Sequence, residues 1–111
     1  MNIISITELY EDVKNNSENI ILINVLTEQE FNGCHIPGSI NIPLAELPSK
    51  LDGIDKNKKV IVHCSHELSP ASEEAYKILD KAGFPNVYDY KRGIREWIQN
   101  SLKTSGNCDA H

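Results

Sequence analysis

The chain lacks the features that would identify several large classes of protein. It has no apolar run long enough to span a bilayer, and its opening Met1 to Ile4 carries no basic residue of the kind that begins a signal peptide. Its three cysteines, Cys34, Cys64 and Cys108, form neither a Cys-x-x-Cys pair nor a zinc-binding spacing. The six glycines are scattered and form no phosphate-binding loop. We therefore expect no metal and no cofactor, and the odd, scattered cysteines favour a reducing cytoplasm over a disulfide framework.

Basic residues are also outnumbered by acidic ones. The net charge of −5 argues against nucleic acid or an anionic membrane surface as a partner. A chain of 111 residues, 40% hydrophobic and 24% charged, has the composition of one small globular domain, which we expect to be a monomer. We predict a domain over residues 1–100 and a frayed tail over residues 101–111, because the tail has no periodicity. Cys108 and His111 in this tail are expected to be incidental rather than a metal pair.

Alternating strand and helix patterns dominate what is present. Ser5 and Thr27 each precede a glutamate by three positions, which predicts a capping box at the start of a helix. Apolar runs and helical spacings predict strands at residues 20–25, 39–42, 60–62 and 87–90, and main helices at residues 6–13, 70–82 and 93–99. This order predicts an α/β fold with a small, mostly parallel sheet flanked by helices on both faces. Ligands in such sheets bind beyond the carboxyl ends of the strands.

Cys64 stands at such a strand end. The apolar run 60–62 predicts a buried strand, and the chain then turns through residues 65–68 before a helix that begins at Pro70 with Ser69 as its cap. Backbone N–H groups at a helix N-terminus favour an anion, including a thiolate, so Cys64 is a candidate nucleophile. The alternative is a buried structural cysteine that behaves as a small hydrophobic residue.

Motifs spread over nearly the whole chain resemble the rhodanese-like domain family. The segment from His35 to Pro43 is close to the family's His-Ile-Pro-Gly-Ala motif, and Val60 to Cys64 resembles the strand that delivers its catalytic cysteine. Further similar segments are residues 21–25 followed by Glu30-Phe31, residues 83–88, and residues 93–97, which resemble the family's Gly-Gly-x-x-x-Trp helix start. The resemblance implies the rhodanese-like fold, a persulfide on Cys64 and an active loop formed by the residues that follow it.

Departures from the family pattern bear on activity. The loop Ser65 to Ser69 contains neither arginine nor glycine, whereas many sulfurtransferases of the family carry Cys-Arg-x-Gly-x-Arg and the phosphatase and arsenate reductase relatives keep an arginine. The loop is longer than usual and resembles a divergent branch that reads Cys-x-x-x-x-Cys-x-Ala-Ser, with Ser69 in place of the second cysteine. Other replacements are Asn24 for Asp, Leu26 for Arg, Cys34 for Gly, and Arg92 for the first Gly.

The resemblance assigns Cys64 the catalytic role, and the active loop the binding of substrate. That loop consists of Ser65, His66, Glu67, Leu68 and Ser69. Ser65, His66 or Ser69 can donate hydrogen bonds to an anionic sulfur, whereas Glu67 repels an anionic donor such as thiosulfate. His66 either acts as a general base or lies in solvent. His35 is expected to be structural, and His63 to point away from the face of Cys64, because side chains alternate along a strand.

Three functions remain open at this point. The first is a rhodanese-type sulfurtransferase or persulfide carrier that moves sulfane sulfur from a donor to a thiol or protein acceptor. The second is a non-catalytic rhodanese-fold binding or regulatory module in which the cysteine is vestigial. The third, a phosphatase-like or arsenate-reducing enzyme, is disfavoured because the loop has no arginine to grip an oxyanion.

Overall fold

The computed structural model describes residues 1–106 and Cys108. Among these residues, no helix is long and apolar enough to cross a membrane. The strands in chain order are β1 (Ile20–Asn24), β2 (Cys34–His35), β3 (Ile40–Asn41), β4 (Lys59–His63), β5 (Val87–Tyr90) and β6 (Ser105–Gly106). The α-helices are α1 (Ile6–Asn15), α2 (Glu28–Gly33), α3 (Leu47–Lys50), α4 (Ala71–Lys81) and α5 (Gly93–Gln99).

Four strands form the central sheet in the order β3-β1-β4-β5, and every pair in it is parallel. The N-terminal residues extend this sheet, since Ile4 donates its N–H to the carbonyl of Asp89 at 3.1 Å and Asp89 donates to Asn2 at 2.8 Å. β4 lies between β1 and β5, so its carboxyl end is central to the edge where ligands of parallel sheets bind. The predicted α/β fold is confirmed.

The central strands bury both faces, which is why β1 and β4 are almost continuously apolar. On one face, Val60 and Val62 pack with α3 and α4 through residues such as Leu79. On the other face, Ile61 packs with α1 and α5, where Trp97 is the largest buried side chain. The alternation of side chains along β4 therefore divides the interior into two layers, one on each side of the sheet.

The ends of two helices follow from short-range polar chemistry. The hydroxyl of Ser5 accepts the N–H of Glu8, whose carboxylate reaches back to the N–H of Ser5, and Thr27 and Glu30 repeat this arrangement at α2. Both predicted capping boxes are confirmed. Each satisfies helix-terminal N–H groups that would otherwise lack a partner inside the helix.

The segment after α5 differs from the prediction. Trp97 Nε1 donates to the carbonyl of Lys103 at 2.8 Å, β6 pairs antiparallel with β2, and Cys108 is disulfide-bonded to Cys34. The expectation of a frayed tail and of cysteines without a disulfide is therefore wrong for residues 101–106 and Cys108. A strand of two residues and a disulfide between distant positions leave no periodic pattern in the sequence. His111 lies outside the described residues, and the domain division at residue 100 stays a prediction.

Candidate functional site

Cys64 lies directly after β4 and is fully buried. Its backbone is held by the first turn of α5, where Ile94 donates its N–H to the Cys64 carbonyl at 3.0 Å and Arg95 donates to the Ser65 carbonyl at 2.9 Å. Helix-terminal N–H groups, which need partners outside the helix, here bind the start of the active loop. The predicted placement of the cysteine at the carboxyl edge of the sheet is what the structure shows.

Gly93 makes the close packing of α5 against this loop possible. Its φ is +69°, and a Cβ at this position would lie 2.5 Å from the Cys64 carbonyl oxygen and 2.8 Å from the His66 nitrogen. Any side chain here would therefore collide with backbone atoms of the loop, which cannot move aside as a flexible side chain could. The glycine of the Gly-x-x-x-Trp segment is thus a contact that positions Cys64.

The immediate surroundings of Cys64 Sγ differ from the prediction. Sγ lies 3.7 Å from the carbonyl oxygen of His66 and 3.9 Å from that of Ser69, so it faces acceptors. Among the described residues, no N–H group is hydrogen-bonded to Sγ. Two of the loop N–H groups are used within the loop: Ser69 donates to the His66 carbonyl at 3.1 Å, and Leu68 donates to His66 Nδ1 at 3.2 Å. The expected set of converging N–H donors is therefore not formed in this conformation.

The other loop residues fall into two groups. Ser65 and His66 are half-buried, and His66 Nδ1 is already occupied as an acceptor within the turn. Glu67 and Leu68 are exposed, and Leu68 is 85% accessible, which is unusual for a leucine. The tip of the loop therefore projects a charge and an apolar side chain outwards, away from the buried thiol.

Ser69 caps the next helix less directly than predicted. α4 begins at Ala71 with Pro70 in the capping position, one residue later than the sequence indicated. The Ser69 hydroxyl accepts the N–H of Ala71 at 3.4 Å, which is long for a hydrogen bond. Pro70 has the role of the cap because its carbonyl accepts the first helical hydrogen bond, from the N–H of Glu74 at 3.0 Å.

A groove of about 650 Å³ opens beside the active loop. Ser65 and His66 line it on one side, Ile94, Arg95 and Ile98 of α5 on another, and Leu26, Glu30 and Cys34 complete the wall. A smaller cavity of about 90 Å³ lies between the loop tip and α5, and is lined by His66, Glu67, Leu68, Arg92, Arg95, Glu96 and Gln99. Cys64 itself lines neither space, which agrees with its burial.

Arg95 is a site residue that sequence reasoning missed. It lines both spaces, is exposed, and takes part in no ion pair among the described residues, whereas Arg92 lies 3.7 Å from Glu96. The loop has no arginine, but α5 brings one to its border. The signal in the sequence was the Gly-x-x-x-Trp segment, since packing of this helix start on the loop also places the residue two positions after Gly93.

His63 lies on the opposite face of the sheet from Cys64, as predicted. Its ring packs edge-on against Tyr90 at a centroid distance of 6.4 Å, and its Nδ1 is 3.4 Å from the Cys64 carbonyl oxygen. Burial lowers the pKa of His63 from 6.5 to about 4, while the backbone contact to Cys64 acts in the other direction. The ring is therefore neutral at physiological pH. His35 is structural, as predicted, with Nδ1 at 2.7 Å from the Phe31 carbonyl oxygen.

Asp89 is a second buried group that the sequence did not reveal. It lies in β5 beside Val62 of β4, so its side chain shares the face that Cys64 occupies two residues further along. Burial raises the pKa of the Asp89 carboxyl, and the nearby Ser72 hydroxyl lowers it. In the sequence, a carboxylate between two tyrosines of a short strand is typical of a surface residue. That α4 covers Asp89 is visible only in the structure.

Comparison with known proteins places this chain in a family. A family model described as the rhodanese-like domain matches residues 5–100. Thiosulfate sulfurtransferase GlpE of Coxiella burnetii is 30% identical over 104 residues, which covers 94% of both chains. The Bacillus subtilis protein YrkF is 27% identical over 90 residues, and the present chain covers 81% of its own length but only 48% of YrkF.

A solved structure gives the same result for the fold. The rhodanese-related protein of Thermoplasma volcanium superposes with a TM-score of 0.81 at 30% identity, and the match covers 94% of this chain and 97% of that protein.

Proposed function

Because this chain belongs to the rhodanese-like domain family, we propose that it moves sulfane sulfur through a persulfide on Cys64 to a thiol or protein acceptor. The family and its sulfurtransferase relative support an activity of the sulfurtransferase type. The carrier role and the identity of the persulfide-bearing residue are our proposal. The observation that carries it is the placement of Cys64 at the end of β4, before the active loop.

The states of the three cysteines support this assignment. All three lie within the described residues, and Cys34 and Cys108 are joined, so Cys64 is the free thiol of the domain. In the proposed reaction the Cys64 thiolate attacks the outer sulfur of the donor, and the bond from that sulfur to its leaving group breaks. An acceptor thiolate then attacks the same sulfur and releases the Cys64 thiolate, so electrons balance without a cofactor.

The active loop has to change conformation for this reaction. Sγ is buried and faces the carbonyls of His66 and Ser69, which would repel a thiolate or a persulfide anion. We propose that a rotation of the His66–Ser69 turn swings these carbonyls away and directs loop N–H groups and the Ser65 hydroxyl inwards. Leu68, exposed at the tip of the loop, provides an apolar contact by which an acceptor protein could favour the open form.

The charges around the loop favour a donor of low charge or a protein partner. Arg92 and Arg95 line the small cavity at the border of the loop, but Glu67 and Glu96 line it too, and Arg92 lies 3.7 Å from Glu96. The loop itself contributes no guanidinium, the group whose fork of donors binds a sulfonate through two hydrogen bonds. We also propose that the chain acts as a monomer in the cytoplasm, without nucleic acid or membrane as partner. In that compartment disulfides are usually transient or redox-active, so the Cys34–Cys108 bond is expected to open and close there.

A non-catalytic binding module is the second candidate. The specific observation in its favour is that Cys64 is buried among carbonyl oxygens rather than N–H donors. In that case the loop would keep its present conformation, and the groove and the exposed loop tip would bind a partner without transfer of sulfur.

Intact-mass measurement after incubation with a sulfane-sulfur donor distinguishes the two candidates. Wild-type protein should gain one sulfur atom, which peptide mapping should locate at Cys64, and Cys64→Ser should gain none. Cys108→Ser, which keeps every residue of the active loop, is the matched control and should still gain sulfur at Cys64; peptide mapping separates this sulfur from any that the freed Cys34 thiol takes up. If wild-type protein gains no sulfur with thiosulfate, an organic persulfide or a protein persulfide, the sulfur-transfer proposal is wrong and the domain is a non-catalytic binding module.

A further inference from the structure

The segment after α5 is closed by a disulfide on the wall of the groove. Cys34 and Cys108 are 74 positions apart in the chain, and their bond adds to a two-residue ladder between β2 and β6. The segment packs closely on the end of α2, because a Cβ on Gly106 would lie 2.6 Å from the Gly33 carbonyl oxygen. Nearer to α5, the segment is also held by the bond from Trp97 Nε1 to the Lys103 carbonyl and by packing of the half-buried Leu102 against the cluster that contains Trp97.

The two cysteines differ in their access to solvent. Cys34 is half-buried and lines the groove together with Ser65 and His66, whereas Cys108 is only 8% exposed and does not line it. A nucleophile that enters the groove therefore reaches Cys34 before Cys108. Arg95 lines the same groove and attracts an anionic thiol, and Glu30 on the wall opposes part of that attraction.

We propose that this disulfide is a second covalent site of the domain, at which a thiolate entering the groove bonds to Cys34. The bond that forms joins the incoming sulfur to Cys34 Sγ, and the bond between Cys34 and Cys108 breaks with its electron pair on Cys108. Cys108 then takes a proton from solvent, and the Ser105 carbonyl oxygen, 3.4 Å from Cys108 Sγ, accepts the new S–H group. The thiol is oxidised to a mixed disulfide as Cys108 is reduced.

Opening this bond has a structural consequence. Without it, residues 103–106 and Cys108 are held by the β2–β6 ladder of two residues and the bond to Trp97 Nε1, and a two-stranded ladder of this length is marginal by itself. Residues 101–106 and Cys108 are then released from α2 and β2, and the attached thiol remains beside Ser65 and His66. The redox state of the Cys34–Cys108 pair thus changes one wall of the groove that borders the active loop.

Cys64→Ser protein is the sample for the test, since it removes the free thiol and makes the result independent of the proposed sulfur transfer. The oxidised full chain is exposed briefly to 2-mercaptoethanol, quenched with acid and mapped by peptide mass. The mixed disulfide should form on Cys34 at least ~10-fold more often than on Cys108, because only Cys34 is reached from the groove. Equal labelling, a preference for Cys108, or three free thiols in untreated air-oxidised wild-type protein would overturn the proposal.

Limited tryptic digestion tests the release of the segment. Cleavage after Lys103 should rise at least ~10-fold once the disulfide is reduced, and cleavage after Lys81 at the end of α4 should not change. Cys108→Ser should show the fast cleavage at Lys103 without any reductant. If that variant is unfolded by far-ultraviolet circular dichroism, the release is judged from the rate of cleavage at Lys103 in oxidised and reduced Cys64→Ser protein. Unchanged cleavage at Lys103 on reduction contradicts the release.

Discussion

A Cβ atom on Gly93 would lie 2.5 Å from the carbonyl oxygen of Cys64, well inside the distance at which two such atoms can coexist. The backbone of α5 therefore packs directly on the backbone of the active loop. Two of its N–H groups bind the loop at the same place. This packing and the two hydrogen bonds hold the backbone of Cys64 and Ser65 against the start of α5.

Gly93→Ala should destabilise the domain and displace the loop. We expect a loss of about 2–4 kcal/mol in the free energy of unfolding, from the positive φ and the collision with backbone atoms. Urea denaturation measures the loss, and the rate of iodoacetamide labelling at Cys64 should rise as the loop moves away. Gly53→Ala is the control, because no atom lies within 4 Å of its Cβ, and it should shift stability by less than about 0.5 kcal/mol. Equal effects of the two variants would contradict the packing argument.

Charge at the border of the loop should set the rate with anionic donors. Arg95→Gln should lower the turnover of thiosulfate, and Glu67→Gln should raise it, because both side chains line the cavity between the loop and α5. Each change should shrink as salt is added, since screening limits a surface charge to about 10 Å at 0.1 M.

Lys81→Gln is the control for Arg95→Gln, since it removes the same charge at the far end of α4. Initial rates at low and high ionic strength measure the effect. If Lys81→Gln slows turnover as much as Arg95→Gln, only the net charge of the domain matters and Arg95 has no special position.

His63 should make the domain sensitive to acid. Its pKa is about 4 in the folded state and 6.5 when unfolded, so between these pH values the imidazole is protonated in the unfolded chain but not in the folded chain. Stability should therefore fall as the pH drops from about 6.5 towards 4, by a total on the order of 3 kcal/mol, and level off below. The raised pKa of Asp89 acts in the opposite sense, because its folded form takes up a proton more readily than the unfolded form.

His63→Phe isolates the contribution of the histidine, since Asp89 and the other histidines remain in both proteins. The difference in unfolding free energy between the variant and wild type should grow in favour of the variant below pH 6.5. Chemical denaturation at a series of pH values provides the comparison. Parallel curves for the two proteins would show that His63 is not buried in its neutral form.

Ser69 should contribute little to stability. Its hydroxyl accepts the Ala71 N–H at 3.4 Å, so Ser69→Ala should cost at most about 0.5 kcal/mol, the low end for a helix cap. Persulfide formation at Cys64 should persist in this variant, as intact mass can show. If Ser69→Ala abolishes the persulfide while the fold survives, the hydroxyl is a donor to the reacting sulfur and its role as a weak cap is secondary.

The parts of this structure that arise from local chemistry were predictable. The glutamates that follow Ser5 and Thr27 by three positions mark the helix starts, and the apolar run before Cys64 marks a strand that is covered on both faces. These signals depend on neighbours within a few residues of one another. They place the cysteine and the loop correctly without knowledge of the rest of the chain.

The parts that depend on distant segments were not predictable in the same way. Whether the His66 and Ser69 carbonyls point towards Cys64 Sγ depends on the backbone conformation of one turn. The same residues are equally compatible with a turn that directs its N–H groups towards the sulfur. The burial of Asp89 depends on α4, and the partner of Cys34 lies 74 positions away. No periodicity or spacing in a single sequence encodes such contacts.

The strand order β3-β1-β4-β5 also governs how this domain acquires its structure in time. Before β4 has formed, β1 can pair only with the two residues of β3. The N-terminal residues can join the sheet only after β5 has formed, because their partner there is Asp89. Nearly all sheet contacts therefore close large stretches of chain, a topology associated with slow folding. We expect slower folding than in a helical domain of this size, because β4 has to pair with both β1 and β5 before the sheet is complete. Consequently, the strand that carries the cysteine into position is also the one whose arrival completes the domain.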